Sequence, residues 1–336
     1  MKKMTLLMAA LLIKSLCANA EPSLTQTPAD NNKNNTTQQS MQTKEGLPAS
    51  CINSEVTGQG KPIILIPGFS NDQRVWKAQT KALSKTHQVH LISLAGYAGQ
   101  SPCLYKSGFL STVSEQLIDY IENNKLQDVT LVGHSLGGLL SMKLAIEKPN
   151  LFSHIISVDG LPFIGPIFTR DNNTEINDIA FQAKQIKTMY KQASPSQIEF
   201  MTQQGMAVQT NSLTGQKEIL DMAKTSDSAT LGDSIFDVMS TDLRPDLHKI
   251  TSKLLLIGAS GGFSSQAEHQ YIKALYQAQL FDKVDAELVM NTNAKHFVMY
   301  DDSDWLTDRI IDFISVKNSN VNFNKSNHSI ISKKGN

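Results

Sequence analysis

The sequence predicts an α/β fold with a mostly parallel, doubly wound sheet, because short apolar runs alternate with amphipathic helical segments. Six runs have the length of a strand and stay apolar, which is typical of parallel strands buried on both faces. These predicted strands are Ile63–Ile66, Val89–Leu94, Val129–Val132, Ile155–Val158, Leu254–Ile257 and Ala286–Met290.

Amphipathic helices are expected between these strands. One is predicted to begin at a Thr112-x-x-Glu115 capping box, and another follows the third strand and ends before Pro149. Residues 161–250 contain no convincing strand, and about four helices fit there. One of these begins at Ser194, where Ser-Pro-Ser-Gln combines an N-cap with a capping box. We therefore expect a helical cap inserted between two strands.

Composition excludes several classes of protein. The 336 residues carry 31 Lys+Arg against 31 Asp+Glu, and 40% of them are apolar, which is ordinary for a globular domain. The balanced charge offers no basic patch, so a nucleic-acid partner is not expected. Past the N-terminus there is no apolar run of about 18 residues, so we expect no membrane anchor in the mature chain.

Residues 1–20 are predicted to be a signal peptide. A positive start at Lys2 and Lys3 precedes a short apolar stretch and an Ala18-Asn-Ala20 cleavage site. A lipoprotein signal through Cys17 is less favoured, because a lysine stands where an apolar residue is expected. The protein is therefore expected to be exported, to the periplasm or the medium.

Polar segments flank the predicted domain. Residues 21–46 are expected to form a disordered linker and residues 317–336 a flexible tail, since neither has an apolar period. The domain is then 47–316, large enough for one core with an insertion. In an oxidising compartment Cys51 and Cys103 would be able to pair, although two free thiols are the alternative.

The most informative stretch is Val129–Gly138, which reads VTLVGHSLGG. It is a strand, then Gly-x-Ser-x-Gly, then a helix, which is the context that a nucleophile elbow requires. Gly133 and Gly137 would relieve the crowding of so tight a turn. Ser135 would then stand at a helix N-terminus, where the N–H of Leu136 is able to donate to a developing oxyanion.

These residues resemble the α/β-hydrolase superfamily, over about residues 55–316. The segment Ile64–Phe69 is similar to the family's oxyanion loop, although Pro67 stands where histidine is common. The resemblance implies an esterase- or lipase-like fold with a helical cap. It also implies that the backbone N–H groups of Phe69 and Leu136 form the oxyanion hole.

The family's chain order of serine, acid and histidine implies that the general base lies late in the sequence. Of the eight histidines, His296 follows the last predicted strand and precedes the final helix, which is the family's position. His134, beside the serine, is expected to point away from the site.

The acid is less well defined, because the segment 258–263 has no carboxylate where the family usually carries one. Asp159, after the preceding strand, is our preferred candidate. Glu268 on the next helix is the alternative, and a site without an acid is a third possibility. Asp242 is expected to be structural.

The resulting hypothesis is a serine hydrolase that cleaves a carboxylic ester or thioester through an acyl-enzyme, with no cofactor or metal. Lactone and carbon–carbon substrates stay open. Five cap methionines suit a pliable apolar pocket for an acyl group, although core packing is the other interpretation. They are Met189, Met201, Met206, Met222 and Met239. Arg74 would be able to meet a substrate carboxylate, or lie on the surface.

Two other classes compete with an enzyme. The missing acid favours a non-catalytic binding protein on the same fold. A scaffold protein acting through its linker is the weaker alternative. The oligomeric state is not predicted.

Overall fold

The computed structural model describes residues 50–280 and 285–315. The predicted signal peptide, linker and tail lie outside these residues. Seven strands form one sheet in the order β1-β3-β2-β4-β5-β6-β7, in which only the β1–β3 pair is antiparallel. The strands are β1 (Ile52–Thr57), β2 (Lys61–Ile66), β3 (His87–Leu94), β4 (Val129–His134), β5 (Phe152–Val158), β6 (Lys253–Ala259) and β7 (Ala286–Asn291).

Helices cover both faces of the sheet. Two further segments, Gln73–Trp76 and Arg244–Lys249, are 3₁₀ helices. The α-helices are α1 (Lys77–Leu83), α2 (Phe109–Asn123), α3 (Leu136–Glu147), α4 (Gly165–Thr169), α5 (Ile176–Gln192), α6 (Pro195–Gln209), α7 (Leu213–Lys224), α8 (Ser228–Met239), α9 (Gln266–Gln279), α10 (Val298–Asp301) and α11 (Ser303–Ser315). Within the described ranges, no helix is long and apolar enough to span a bilayer.

All six predicted strands are confirmed. The inner strands are apolar because they are buried on both faces, whereas β7, at the edge of the sheet, is only partly buried. Strand β2 shows this directly: Ile64 and Ile66 pack in the core on one side of the sheet, and Ile63 and Leu65 pack in the core on the other. All four side chains are fully buried. Side chains alternate across a strand, so a sheet between two layers of helices needs an unbroken apolar run.

Strand β1 is an antiparallel edge strand that the sequence did not predict. Five of its six residues are exposed, and its sequence, INSEVT, has no apolar run. Its partner β3 fixes its register from Ile52 opposite Leu94 to Thr57 opposite Val89. Backbone pairing rather than side-chain burial therefore defines this strand, and periodicity cannot detect it.

The segment between β5 and β6 contains α4 to α8, and no strand occurs among its described residues. We call residues 161–250 the helical insertion. The predicted capping box at Ser194 is confirmed, since its hydroxyl accepts from the Gln197 N–H and the Gln197 amide accepts from the Ser194 N–H. Helices α5 and α8 of the insertion pack against each other.

The predicted capping box at Thr112 is wrong. Helix α2 begins earlier, at Phe109, and the Thr112 hydroxyl donates to the Gly108 carbonyl. A carboxylate from the helical insertion supplies the cap instead, because Asp237 accepts from the Leu110 N–H at 3.1 Å. A capping group that lies 127 residues away along the chain leaves no local signature.

A disulfide joins Cys51 to Cys103, with Cα atoms 5.1 Å apart. It ties the segment before β1 to the loop that carries Tyr97 and Tyr105. The hydroxyls of these tyrosines donate to Ser234 and Asp233 of helix α8, both at 2.7 Å. The disulfide therefore fastens the loop on which the helical insertion is anchored.

We expect the disulfide to stabilise the fold, because it closes a loop with a sequence separation of 52 residues. Replacing both cysteines with alanine should lower the free energy of unfolding by about 2–4 kcal/mol. Urea denaturation of the oxidised protein, the reduced protein and the Cys51→Ala/Cys103→Ala variant measures this. Equal unfolding midpoints for all three would contradict the expectation.

Candidate active site

Ser135 occupies the tight turn between β4 and α3. Its backbone has φ 54° and ψ −116°, a conformation that non-glycine residues seldom adopt. Hydrogen bonds hold the turn: the Ser135 N–H donates to the Val158 carbonyl at 2.9 Å, and the Ser135 carbonyl accepts from Gly138 at 2.9 Å. The strained serine is thus fixed by strand β5 and by the first turn of its own helix.

The predicted need for glycine on both sides of this serine is confirmed. A Cβ atom on Gly133 would collide with the Gly137 carbonyl oxygen, and one on Gly137 would collide with the Ile66 carbonyl oxygen. The next strand end is as crowded, since a Cβ on Gly160 would strike the Ser135 carbonyl oxygen. The close backbone approach that exposes the serine therefore requires glycine at each position.

His296 lies in the loop between β7 and α10 and pairs with Asp159. Its Nδ1 is 2.6 Å from Asp159 Oδ2. Asp159 directly follows strand β5 and has a positive φ of 51°, and its side chain is 6% exposed, against 24% for His296. Since the carboxylate accepts, Nδ1 carries the proton in the neutral imidazole, and Nε2 is left as the basic nitrogen.

The other carboxylate oxygen of Asp159 is also occupied. Oδ1 accepts from the Ala259 N–H at 2.8 Å and from the Tyr276 hydroxyl at 2.7 Å. The Asp159 N–H donates to Ile257 O at 2.7 Å, which fixes the backbone beneath the side chain. A carboxylate this deeply buried needs such donors to satisfy its oxygens, since an unpaired buried polar group is costly.

Glu268 has a different role. It closes the capping box at the start of α9, where its carboxylate accepts from the Ser265 N–H and hydroxyl. These bonds lower the pKa of Glu268. No hydrogen bond joins it to His296 among the described residues. Asp242 pairs with Arg244 at 2.6 Å at the end of the helical insertion, in the structural position expected for it.

The prediction that His134 points away from the site is wrong. Its ring lies against that of His296, with centroids 4.6 Å apart, and its Nε2 donates to the His296 carbonyl at 3.0 Å. The side chain is fully buried, and burial lowers its pKa well below the usual value, with the neighbouring His296 as a second cause. His134 is therefore a neutral donor that supports the loop carrying His296. Only the folded structure reveals this, because the position of His134 beside Ser135 in the sequence does not fix the direction of its side chain.

Phe69 and Leu136 both border the space above Ser135. In the part of the chain that the structure describes, neither backbone N–H makes a hydrogen bond. The Phe69 ring is held edge-on between Tyr97 and Tyr190, at centroid distances of 5.8 and 5.4 Å. Two backbone donors without a hydrogen-bond partner among the described residues thus belong to residues that line the cavity beside the serine.

A cavity of about 930 Å³ opens over these residues, between the sheet and the helical insertion. Ser135, Asp159 and His296 line its floor. Apolar side chains of the insertion line its walls, among them Ile164, Ile167, Ile186, Ile235 and Val238. The arrangement holds a polar reacting centre under a large apolar space.

The five predicted methionines divide between two environments. Met189 and Met239 line the cavity, whereas Met206 and Met222 are buried in one of the two hydrophobic core clusters and Met201 is buried in the other. Both interpretations of these residues therefore hold in part. Arg74 does not line the cavity and instead pairs with Asp72 and Asp221.

No group of histidine, cysteine or acidic side chains within residues 50–280 and 285–315 is arranged to hold a metal ion.

Comparison with known proteins agrees with this geometry. Residues 63–309 match the model of the alpha/beta hydrolase family. A pimeloyl-(acyl-carrier protein) methyl ester esterase from Nitrosospira multiformis is 25% identical over 253 residues, which are 74% of this chain and 93% of that protein. A putative carbamate hydrolase from Yersinia enterocolitica is 27% identical over 115 residues, 33% of this chain and 41% of that protein.

Among solved structures, an esterase from Exiguobacterium antarcticum has a TM-score of 0.65 at 17% identity, over 79% of this chain and 96% of that one. An enol-lactonase from Burkholderia xenovorans has a TM-score of 0.62, also at 17% identity, over 79% and 96%. At such identity these structures support the fold alone. Because the family model spans most of the chain and the sheet carries the expected strand-to-helix elbow, the chain belongs to the alpha/beta hydrolase family.

Proposed function

We propose that this protein is a serine hydrolase that cleaves a carboxylic ester, with Ser135 as nucleophile, His296 as general base and Asp159 as the acid. The observation that carries the proposal is the 2.6 Å contact between His296 Nδ1 and Asp159, in the same cavity as a strained serine. That contact fixes the tautomer in which Nε2 is free to accept the serine proton.

The reaction then follows from the groups around Ser135. Its hydroxyl oxygen attacks the ester carbonyl while His296 Nε2 takes the proton. The N–H groups of Phe69 and Leu136 stabilise the oxyanion, and the alcohol leaves with the proton from His296. Water, deprotonated by the same nitrogen, hydrolyses the acyl-enzyme and releases the carboxylic acid.

The position of Asp159 weakens the competing proposal of a non-catalytic binding protein. That reading depended on the missing carboxylate after β6. Asp159 reaches the same imidazole from the end of β5, the neighbouring strand in the sheet. A binding protein has no need of a strained serine beside an oriented histidine.

The apolar walls of the cavity support a substrate with an apolar acyl group. A volume of about 930 Å³ is that of a pocket for a drug-sized molecule. The Nitrosospira relative is named a methyl ester esterase, which favours an oxygen ester over a thioester here.

We also propose that the protein is exported. The Cys51–Cys103 disulfide supports this, because such bonds persist in oxidising compartments and are rare in the cytosol. The predicted signal peptide would direct the chain there.

The role of each side chain is testable with p-nitrophenyl esters. Ser135→Ala should lower kcat by about 10⁴-fold or more, and Asp159→Asn by about 10²–10⁴-fold, because the imidazole loses its orienting acceptor. Glu268→Gln is the matched control and should stay near the wild-type rate. A loss with Glu268→Gln but not with Asp159→Asn would assign the acid to Glu268.

The acyl pocket is testable through Gly205, which lies on α6 and lines the cavity. Gly205→Leu would fill part of the cavity, so we expect the ester series from acetate to palmitate to show a shorter preferred chain. Gln204→Leu, an exposed neighbour on the same helix, is the control and should leave the preference unchanged. An unchanged preference in both variants would place the acyl chain elsewhere.

Export is testable by analysis of the protein from cells that express the full chain. We expect the mature protein outside the cytoplasm to begin at Glu21 and to contain no free thiol, since cleavage removes Cys17. Ala20→Tyr should block processing at that site. A chain that retains Met1 and two free thiols at Cys51 and Cys103 would contradict the proposal.

A further inference from the structure

Asp159 follows strand β5, whereas the family usually carries the acid after the next strand in the chain, and the neighbouring groups donate hydrogen bonds to it. The chain after β6, at residues 258–263, has no carboxylate. Instead it presents a donor, because the Ala259 N–H points at Asp159 Oδ1 at 2.8 Å. The strand next to β5 thus supplies a hydrogen bond to the acid rather than the acid itself.

A second donor to the same oxygen comes from helix α9. The Tyr276 hydroxyl donates to Asp159 Oδ1 at 2.7 Å. With Ala259 and Tyr276 both on Oδ1, the other oxygen, Oδ2, is the one that meets His296 Nδ1 at 2.6 Å. The two oxygens therefore have separate partners, and rotation of the carboxylate would break contacts on both.

The ring of Tyr276 reaches this position because β6 has a glycine beneath it. A Cβ atom on Gly258 would lie 2.8 Å from Tyr276 Cδ1, closer than packed carbon atoms approach. The tyrosine is 6% exposed, and burial together with the Asp159 charge raises its pKa well above the usual value. The phenol therefore stays a proton donor throughout the range in which an imidazole titrates.

We propose that Tyr276 is a positioning residue for catalysis, which holds the Asp159 carboxylate in the orientation that serves His296. The inference rests on the proposed function, since it assigns Tyr276 a part in the same proton transfer. Tyr276 acts through Asp159 and takes no proton itself. No sequence pattern indicates this role, because Tyr276 and Asp159 are 117 residues apart along the chain.

The titratable groups around the acid are few among the described residues. His296 faces it from the loop after β7, Tyr276 faces it from α9, and His134 at the end of β4 stacks behind His296. Removing the Tyr276 hydroxyl leaves Oδ1 with one donor, so the Asp159–His296 pair should hold a proton more tightly.

The first test is Tyr276→Phe. We expect kcat on a p-nitrophenyl ester to fall about 10-fold with KM nearly unchanged. The acid limb of the kcat/KM profile should move upward by about half a pH unit or more. Tyr105→Phe is the matched control, because it removes an equally short hydroxyl–carboxylate bond, to Asp233 at 2.7 Å, away from the site. Its pH profile should stay at the wild-type position.

A second variant keeps the test valid if Tyr276→Phe fails to fold. Site-specific incorporation of 3,5-difluorotyrosine at position 276 preserves the ring and strengthens the donor. The acid limb should then move to lower pH, opposite to the phenylalanine variant. A structural role alone would not produce shifts of opposite sign.

The outcomes distinguish a failure of the positioning role from a failure of the proposed function. An active, Ser135-dependent enzyme whose pH profile is the same in both Tyr276 variants would overturn the positioning role and leave the proposed function intact. Activity that survives Ser135→Ala would instead overturn the proposed function. Equal pH shifts in Tyr276→Phe and Tyr105→Phe would also reject a specific role for Tyr276.

Discussion

The side chain of Asp159 is the point on which the site depends, because it joins four parts of the chain. It directly follows strand β5, accepts from Ala259 at the end of β6, accepts from Tyr276 on α9, and contacts His296 in the loop after β7. A buried carboxylate without partners would cost several kcal/mol. Satisfying it therefore fixes the separation and orientation of all four segments, and with them the imidazole.

The second constraint is steric and lies at the turn that carries Ser135. The backbone around Ser135 is so crowded that Gly133, Gly137 and Gly160 leave no room for a Cβ atom. This crowding holds the serine in a conformation that costs about 1–3 kcal/mol, and the surrounding hydrogen bonds maintain it. The strained turn thus fixes Ser135, and hydrogen bonds fix Asp159. His296, which Asp159 orients, would take the proton from Ser135.

The parallel strands and the nucleophile elbow could be predicted from the sequence, because burial and steric crowding determine which residue types they contain. The inner parallel strands are buried on both faces, which makes them apolar runs in the sequence, and the elbow is visible as glycines around one serine. The edge strand β1 left no such record, because its side chains are exposed. The start of α2 was misassigned since its cap, Asp237, comes from a distant helix. The same reason left the acid open between Asp159 and Glu268: a contact between residues 137 apart has no spacing to recognise. His134 and Tyr276 were missed because only the folded geometry brings them to the site.

Covalent labelling with a fluorophosphonate tests the roles of Ser135 and Asp159 most directly, because it needs no knowledge of the substrate. The wild-type protein should take up one label on the peptide that contains Ser135, as measured by mass spectrometry. The labelling rate of the Asp159→Asn variant should be at least about 100-fold lower than that of the wild type, because its imidazole is no longer held in the required tautomer. Labelling of Asp159→Asn at the wild-type rate, or labelling of a residue other than Ser135, would contradict the roles of Asp159 and Ser135.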